Sequence, residues 1–481
     1  MFSPTLTSRR TTPLALSIIS LCAGCAMLPP KTELSEINPV SAYEATQSLA
    51  AKQSAWPSDH WWAAYRDPQL SELIKEGLSG ANDMKIAAAR LEIAYATLGS
   101  TRGALFPTMG ANAKIDQERQ SYNYLINEAV APKGWKAAGV IALDLNWEID
   151  FWGKNRAALA AAKGETQAAE AEAAAARLAV STGIAQIYAQ LVSLYADKDA
   201  TSNAIRVRKQ TVKVISDRFD KRLENESALE RVRSAEASTQ ARLAAIDEQI
   251  ALTRNQIAAM LGKGPDRGLA IKRPHVSGGR YSGLPKNLPL DLIGRRPDVV
   301  AARLRAEASI KRVEESRAAF YPNVNITAVI GKQALGLDLL SHTKSTYGSV
   351  GPAISLPILE GGRHVAGLMV SQAKHEIAVA TYNQALAQAL KDVADSVVSK
   401  RQLSRRLYAT QKSATAAENA HRIVKNRYDG GLATYLEVLA AEDAMISARN
   451  ATAALRARSF ALDVKLVHAL GGGFRSTEKK S

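Results

Sequence analysis

The sequence predicts an α+β membrane protein with internal duplication. Each half supplies two amphipathic strands and two long helices, so one chain brings four strands to a β-barrel that it cannot close alone. Three observations point there. The first is a repeat: residues 153–262 lie on 362–471 without a gap. Gly153-Lys154 falls on Gly362-Arg363, Arg218-Phe219 on Arg427-Tyr428, Leu223 on Leu432, and Leu261-Gly262 on Leu470-Gly471. Upstream, Asp83 falls on Asp298, Arg102 on Arg317 and Pro107 on Pro322, after a six-residue shift that a loop absorbs. The second is a pair of proline-free runs, Asn155 to Phe219 and His364 to Tyr428, each 65 residues long. The third is a set of short segments in which apolar and polar residues alternate.

The N-terminus reads as an export signal. Arg9 and Arg10 form a positive region, Leu14 to Leu21 a short apolar one, and Ala23-Gly24 the small residues before a cleavage point. The apolar run is too short to span a bilayer, which takes about 20 residues. Leu21-Cys22-Ala23-Gly24-Cys25 has the form of a lipoprotein box, with Cys25 as the expected lipidated first residue of the mature chain; the plain alternative is a secretory signal with an incidental cysteine pair. Ala26, where Asp is the usual inner-membrane retention signal, resembles sorting to the outer membrane. Both cysteines of the chain lie here, so none remains for a metal site or a disulfide in the body of the fold.

Each long run would make a helix of about 98 Å if unbroken. Shorter partners follow, Glu224 to Leu261 and Ala433 to Leu470. Ile184, Ile187, Leu191 and Leu194 step by three and four, a stripe of the coiled-coil kind. Thirteen of the 24 residues from Ala157 to Val180 are alanine, which lets neighbouring helix backbones approach closely. Strand alternation is clearest in Leu143 to Asp150, and recurs in Asn112 to Asp116, Asn323 to Ala328 and Ile354 to Leu356. Pro107, Pro322 and Pro352 are expected at strand beginnings, where a missing N–H is tolerated. The Gly/Pro-rich stretch Lys263 to Pro289 is expected to link the halves.

Strands that cross a membrane must close, because an open edge in lipid leaves N–H and C=O groups unpaired. Membrane barrels start at about eight strands. Four strands do not suffice, and three chains supply twelve. The expected layout is a signal peptide over 1–24, a lipid-anchored segment over 25–67, and a first repeat over 68–275. A linker over 276–294, a second repeat over 295–474 and a C-terminal tail over 475–481 follow.

Several local motifs sharpen this. Trp61-Trp62-x-x-Tyr65-x-Asp67-Pro68-x-Leu70-x-x-Leu73-Ile74 opens the first half, and Arg295-Arg296-Pro297-Asp298-Val299 the second. Phe320-Tyr321-Pro322, Gly361-Gly362-Arg363 and Tyr428-x-x-Gly431-Leu432 complete the set. Together with the order of elements, they resemble the TolC-like outer-membrane efflux family, in its NodT-type lipoprotein branch, over about residues 56–474. The resemblance implies a homotrimer with a twelve-stranded β-barrel continued by a long α-helical barrel. It also implies docking to a periplasmic adaptor protein and an inner-membrane efflux pump.

The helix pairs turn at Phe219–Glu224 and Tyr428–Ala433. By position, Tyr428 matches the family's gate tyrosine, whereas Ala433 stands where some members carry a gate arginine. Glu437 falls where acidic residues line the entrance, and a carboxylate in a narrow mouth collects cations. Phe219, Arg218 and Arg427 complete the gate candidates, each with interhelical packing or a solvated helix face as the plain alternative. Leu223, Gly431 and Leu432 are the adaptor-contact candidates. Asp144, Glu148 and Asp150 share one strand face and are expected to line the barrel lumen, with Leu143, Leu145, Trp147 and Ile149 on the lipid side. Trp147 and Trp152 suit an interfacial girdle, and Trp61 and Trp62 a collar around the helices.

Composition excludes other classes. With 62 Lys plus Arg against 46 Asp plus Glu the chain carries +16, which invites a nucleic-acid reading. Aromatic residues at 6% disfavour a base-stacking surface, and export removes nucleic acid as a partner. Loss of residues 1–24 leaves +14. If the excess lines the conduit, anionic substrates are favoured; if it lies outside, it meets lipid headgroups or an adaptor. The seven histidines show no HExxH or other ligand spacing, and no GxSxG elbow or P-loop occurs. No enzymatic activity, cofactor or metal is therefore expected beyond the lipid on Cys25. The expected function is passive conduction of small toxic compounds or drugs across the outer membrane. The alternatives are a lipid-anchored structural coiled coil of the envelope and a type I secretion channel.

Overall fold

A computed structural model describes residues 33–45, 47–50, 53–121, 123, 129–277, 283–286, 288–358 and 360–476. The expected signal peptide, Cys25 and the last residues of the tail lie outside the described residues. The helices are α1 (Pro68–Gly80), α2 (Asn82–Gly103), α3 (Lys154–Asp220), α4 (Glu226–Met260), α5 (Leu288–Arg295), α6 (Pro297–Ala318), α7 (Arg363–Asp429) and α8 (Tyr435–Ala469). The strands are β1 (Thr108–Glu118), β2 (Lys136–Ile149), β3 (Asn323–Leu335) and β4 (Thr346–Ser355). The expected order of elements holds in both halves. The two longest helices, α3 and α7, have 67 residues each, about 100 Å of helix.

The chain divides into two compact units. The first comprises residues up to Glu36, Ile93–Gln167 and Leu304–Ala380, and contains one antiparallel sheet in the order β1-β2-β3-β4. Each strand pairs with its sequence neighbour, so β1 and β4 are edges within this chain. Registers place Leu145 opposite Met109 and Ala328, and Leu143 opposite Ala111 and Ile330. β2 begins seven residues before the expected Leu143, and Pro352 sits inside β4, opposite Ile326, instead of at its start. β4 is an edge of this sheet, a position where a proline is accommodated. Where the sheet gives way to helix, Trp152 stacks on Tyr321 at 4.8 Å and its indole Nε1 donates to the Pro322 carbonyl at 2.8 Å.

The second unit comprises Ile37–Glu92, Ala168–Arg303 and residues from Thr381 onward. Its largest core gathers Trp61, Trp62 and Tyr65 from a 3-10 turn, Leu70, Leu73 and Ile74 from α1, and Ile184, Tyr188 and Leu191 from α3. The predicted stripe is thus buried at Ile184 and Leu191, with Ile187 and Leu194 packed at its margin. Asp67 is the hub of this region. Its carboxylate caps α1 by accepting from the Leu70 N–H, and also accepts from the Tyr188 hydroxyl at 2.8 Å and the His275 N–H at 2.9 Å. Burial, with the charge of Asp67 beside it, pushes the Tyr188 phenol up, so Tyr188 stays a donor. In the second half Arg296, 4% exposed, holds Asp298 and Asp392. Burial opposes its charge, and the two carboxylates outweigh burial and hold the guanidinium charged.

The expected linker is less irregular than its glycines suggest. It carries a helical turn at Asp266–Leu269, and α5 begins inside it with Leu288-Pro289. Proline is preorganised for a first helical turn, and Leu292 is fully buried against α7. Gly471 has φ +83 and packs so closely that a Cβ there would overlap the Arg295 carbonyl. The glycine run after α8 is therefore a packing requirement.

Candidate functional site

Both helix hairpins turn in the same way. In the first, the Leu223 N–H donates to the Arg218 carbonyl and the Arg222 N–H to the Phe219 carbonyl, both at 2.8 Å. In the second, the Leu432 N–H donates to the Arg427 carbonyl at 2.7 Å and the Gly431 N–H to the Tyr428 carbonyl at 3.0 Å. This six-to-one and five-to-two pattern is a Schellman closure, which needs a left-handed residue after the helix. That residue is Arg222 (φ 59) in the first turn and Gly431 (φ 74) in the second. Asn225 then caps α4 through the Ala228 N–H. Thr434 caps α8 in a reciprocal box with Glu437, whose Oε2 accepts from the Thr434 N–H at 2.7 Å.

Between the hairpins lies an apolar cluster of Ile215, Leu229, Val232, Tyr428, Tyr435 and Val438, with Phe219 and Ala433 against it. The Tyr428 hydroxyl donates to Glu224 Oε1 at 2.5 Å, and the Arg218 guanidinium lies 4.6 Å above the Tyr428 ring. Burial, then the Glu224 carboxylate, push the Tyr428 phenol up, so the proton stays and the link persists through neutral pH. Of the predicted residues, Phe219, Tyr428 and Arg218 therefore meet in one cluster. Arg427 instead donates across its own turn to the Leu432 carbonyl at 3.1 Å. Glu437 is occupied by its helix cap, with its side chain at the exposed surface. Leu223 and Leu432 stand out from the turns, 63% and 73% exposed.

Sequence reasoning missed the partner, Glu224. It also missed a second polar group on the same helices: Thr211 Oγ1 donates to Glu442 Oε2 at 2.9 Å, and Arg208 Nη2 donates to Asp443 at 2.6 Å. A hydrophobic stripe broken by a lone Glu442 is the one sequence signal that would have drawn attention there.

The sheet is two-faced. By register one face carries Met109, Ile115, Ile141, Leu143, Leu145, Trp147, Ile326, Ile330, Val350 and Ile354. The other carries Asn112, Asp144, Asn146, Glu148, Asn325 and Thr327. Asp144 accepts from the Asn112 amide, and Glu148 pairs with Lys154 at 2.6 Å. Asp150 departs from expectation. The strand ends at Ile149, and the Asp150 carboxylate is turned to the start of α3, accepting from the Asn155 and Arg156 N–H groups and from Arg156 Nε. An anion at a helix start is favoured by the dipole and by the free N–H groups there.

Residues 73–263 and 288–472 match the pattern of the outer membrane efflux protein family. The chain is 28% identical to the multidrug resistance outer membrane protein MdtP of Shigella flexneri, over 97% of either chain. It is 32% identical to the fusaric acid resistance protein FusA of Burkholderia cepacia, over 76% of this chain and 70% of that one. The crystal structure of the outer membrane protein VceC of Vibrio cholerae superposes with a TM-score of 0.83 at 41% identity, covering 87% of this chain and all of that one. The four-stranded sheet, with this fold, sets aside the plain coiled-coil reading. The repeat, the two-faced sheet and these likenesses converge: the chain belongs to the outer membrane efflux protein family and has the fold of its channels.

Proposed function

We propose that this chain is the outer-membrane exit duct of a tripartite drug-efflux assembly, working as a homotrimer. The observation that carries the reading is the open sheet with one apolar and one polar face and free edges at β1 and β4. An edge of this kind is not stable in lipid, so β4 of one copy pairs with β1 of the next, and three copies close twelve strands. The apolar face meets lipid, and Asp144, Asn146 and Thr327 face the aqueous bore. Small toxic compounds are the cargo, in keeping with the resistance functions for which MdtP and FusA are named.

Cys25 carries the lipid anchor. A periplasmic adaptor engages the turns at Leu223 and at Gly431-Leu432, whose exposed leucines offer apolar contact without unfolding the cap. An inner-membrane pump loads the duct. The Tyr428–Glu224 link holds the helix pairs together in the resting state.

The test is a deletion strain complemented with the full chain, and the purified product in a planar bilayer. The reading predicts restored drug tolerance, a detergent-resistant trimer and single-channel currents. A monomer without conductance would remove it. Export with Cys25→Ser, followed by mass spectrometry of the mature N-terminus, tests the anchor separately.

A further inference from the structure

Two turns along α8 from Tyr435, a polar group is sunk into the seam with α3. Glu442 is 1% exposed, and among the described residues only its Oε2 has a hydrogen-bond partner, the Thr211 hydroxyl. Its Oε1, the Tyr435 hydroxyl and Arg208 Nε have no hydrogen-bond partner among the described residues. Arg208 spends one nitrogen on Asp443, which is half exposed at the rim. A buried carboxylate with an empty acceptor is costly, and an apolar side chain of similar size is often the more stable choice. The hairpin geometry does not demand a carboxylate there. The repeat-equivalent of Glu442 is Arg233, which is exposed and pairs with Glu230 on its own helix. Nor does the core demand it, since Val438 and Met445 on either side are buried apolar residues.

We propose that Glu442 and Thr211, with Arg208 and Asp443, form a second latch between α3 and α8 that a proton on Glu442 tightens, so the duct is held shut more firmly as the periplasm acidifies. This rests on the gate reading of the same helix ends. The groups facing Glu442 are Arg208 and Thr211 from α3, and Tyr435 and Asp443 from its own helix. Tyr428 of α7 stands 5.7 Å from the Tyr435 ring, and Glu230 and Arg231 of α4 line the groove that Arg208 and Asp443 share. Burial raises the affinity of Glu442 for a proton, with the Thr211 bond and Arg208 opposing it. Separated helices expose the carboxylate to water, where it ionises in the ordinary range. A group that holds its proton more tightly in the closed form stabilises that form at low pH, and the stabilisation fades as pH rises past the ordinary range. Charge on Glu442 thus favours separation.

The experiment records conductance of the full-length protein in planar bilayers between about pH 4.5 and about pH 7.5, a span that starts near the ordinary glutamate value and covers the range above it, where a raised carboxyl loses its proton. Wild type is expected to conduct several-fold more at the upper end. Glu442→Gln, permanently neutral, is expected to stay low and lose the pH step, and Glu442→Leu to do the same while melting at a higher temperature. A Glu442→Gln channel that keeps the wild-type pH step would overturn the latch. So would a flat wild-type profile in a channel that Tyr428→Phe still opens. A pH step that vanishes in Glu442→Gln while Tyr428→Phe has no effect would support the latch and remove only the Tyr428 contact.

Discussion

The two hairpins descend from one repeat and share one backbone closure, yet they are built from different residues. Where the second turn has Gly431, the first has Arg222 in the left-handed region, a conformation that costs a non-glycine residue about 1 kcal/mol. Where the second has a full capping box, the first has a single asparagine cap. The side chains between them diverge further. Tyr428 reaches Glu224, whereas the repeat-equivalent pair, Phe219 and Ala433, has no polar atom to exchange and packs into the apolar cluster. Duplication alone would have made two equal contacts. Divergence made one apolar contact and one hydrogen bond to a charged group, and a bond of that kind can be broken without unfolding a core.

The asymmetry can be broken most directly at its polar arm. Tyr428→Phe removes a charge-assisted bond of about 1.5–3 kcal/mol, so the closed-to-open ratio should fall on the order of tenfold or more, read as bilayer conductance. Glu224→Gln should act in the same direction, and the double variant should add little to either. Symmetrising the pair by Phe219→Tyr with Ala433→Glu should reduce conductance below wild type.

Smaller effects test the caps. Thr434→Ala should cost about 1 kcal/mol in chemical unfolding, and at least as much as Asn225→Ala, because it opens a reciprocal box. Arg222→Gly should stabilise and Gly431→Ala destabilise, each by roughly 1 kcal/mol or less. A Cβ on Gly431 meets nothing within 4 Å, so the second change isolates backbone strain.

The smallest effect separates the far ends of the repeats. His468 of α8 matches Ala259 of α4, and burial, then the charge of Arg296, lower its proton affinity. A histidine held neutral in the fold resists protonation that the unfolded chain accepts. Stability should therefore fall as pH drops below about 6.5. His468→Ala should flatten that part of the melting-temperature profile.

Much of this was legible beforehand. The long helices end within two residues of expectation, because absence of proline and a three-four apolar step survive any packing. Strand faces were legible from Leu143 onward because alternation is a local property. The start of β2 was not, since Lys136-Ala137-Ala138-Gly139 alternates weakly and joins the strand only through pairing with β1 and β3. Asp150 continued the alternation in sequence but left it in space, drawn to free N–H groups at a helix start. Glu437 read as an entrance charge, and its part in the helix cap went unread, although Thr434 three residues earlier carries the capping signature.

The sequence by itself determined the order of elements, the duplication and which side of each strand is apolar, because these follow from periodicities of two and 3.6 residues along the chain. Only the tertiary structure decided that Tyr428 meets Glu224, 204 residues away, and that Glu442 is sunk beside Arg208. Those meetings depend on how far each helix is rotated about its axis and on the sub-ångström height of one helix against another. Packing of the whole seam sets both quantities, and no local pattern encodes them.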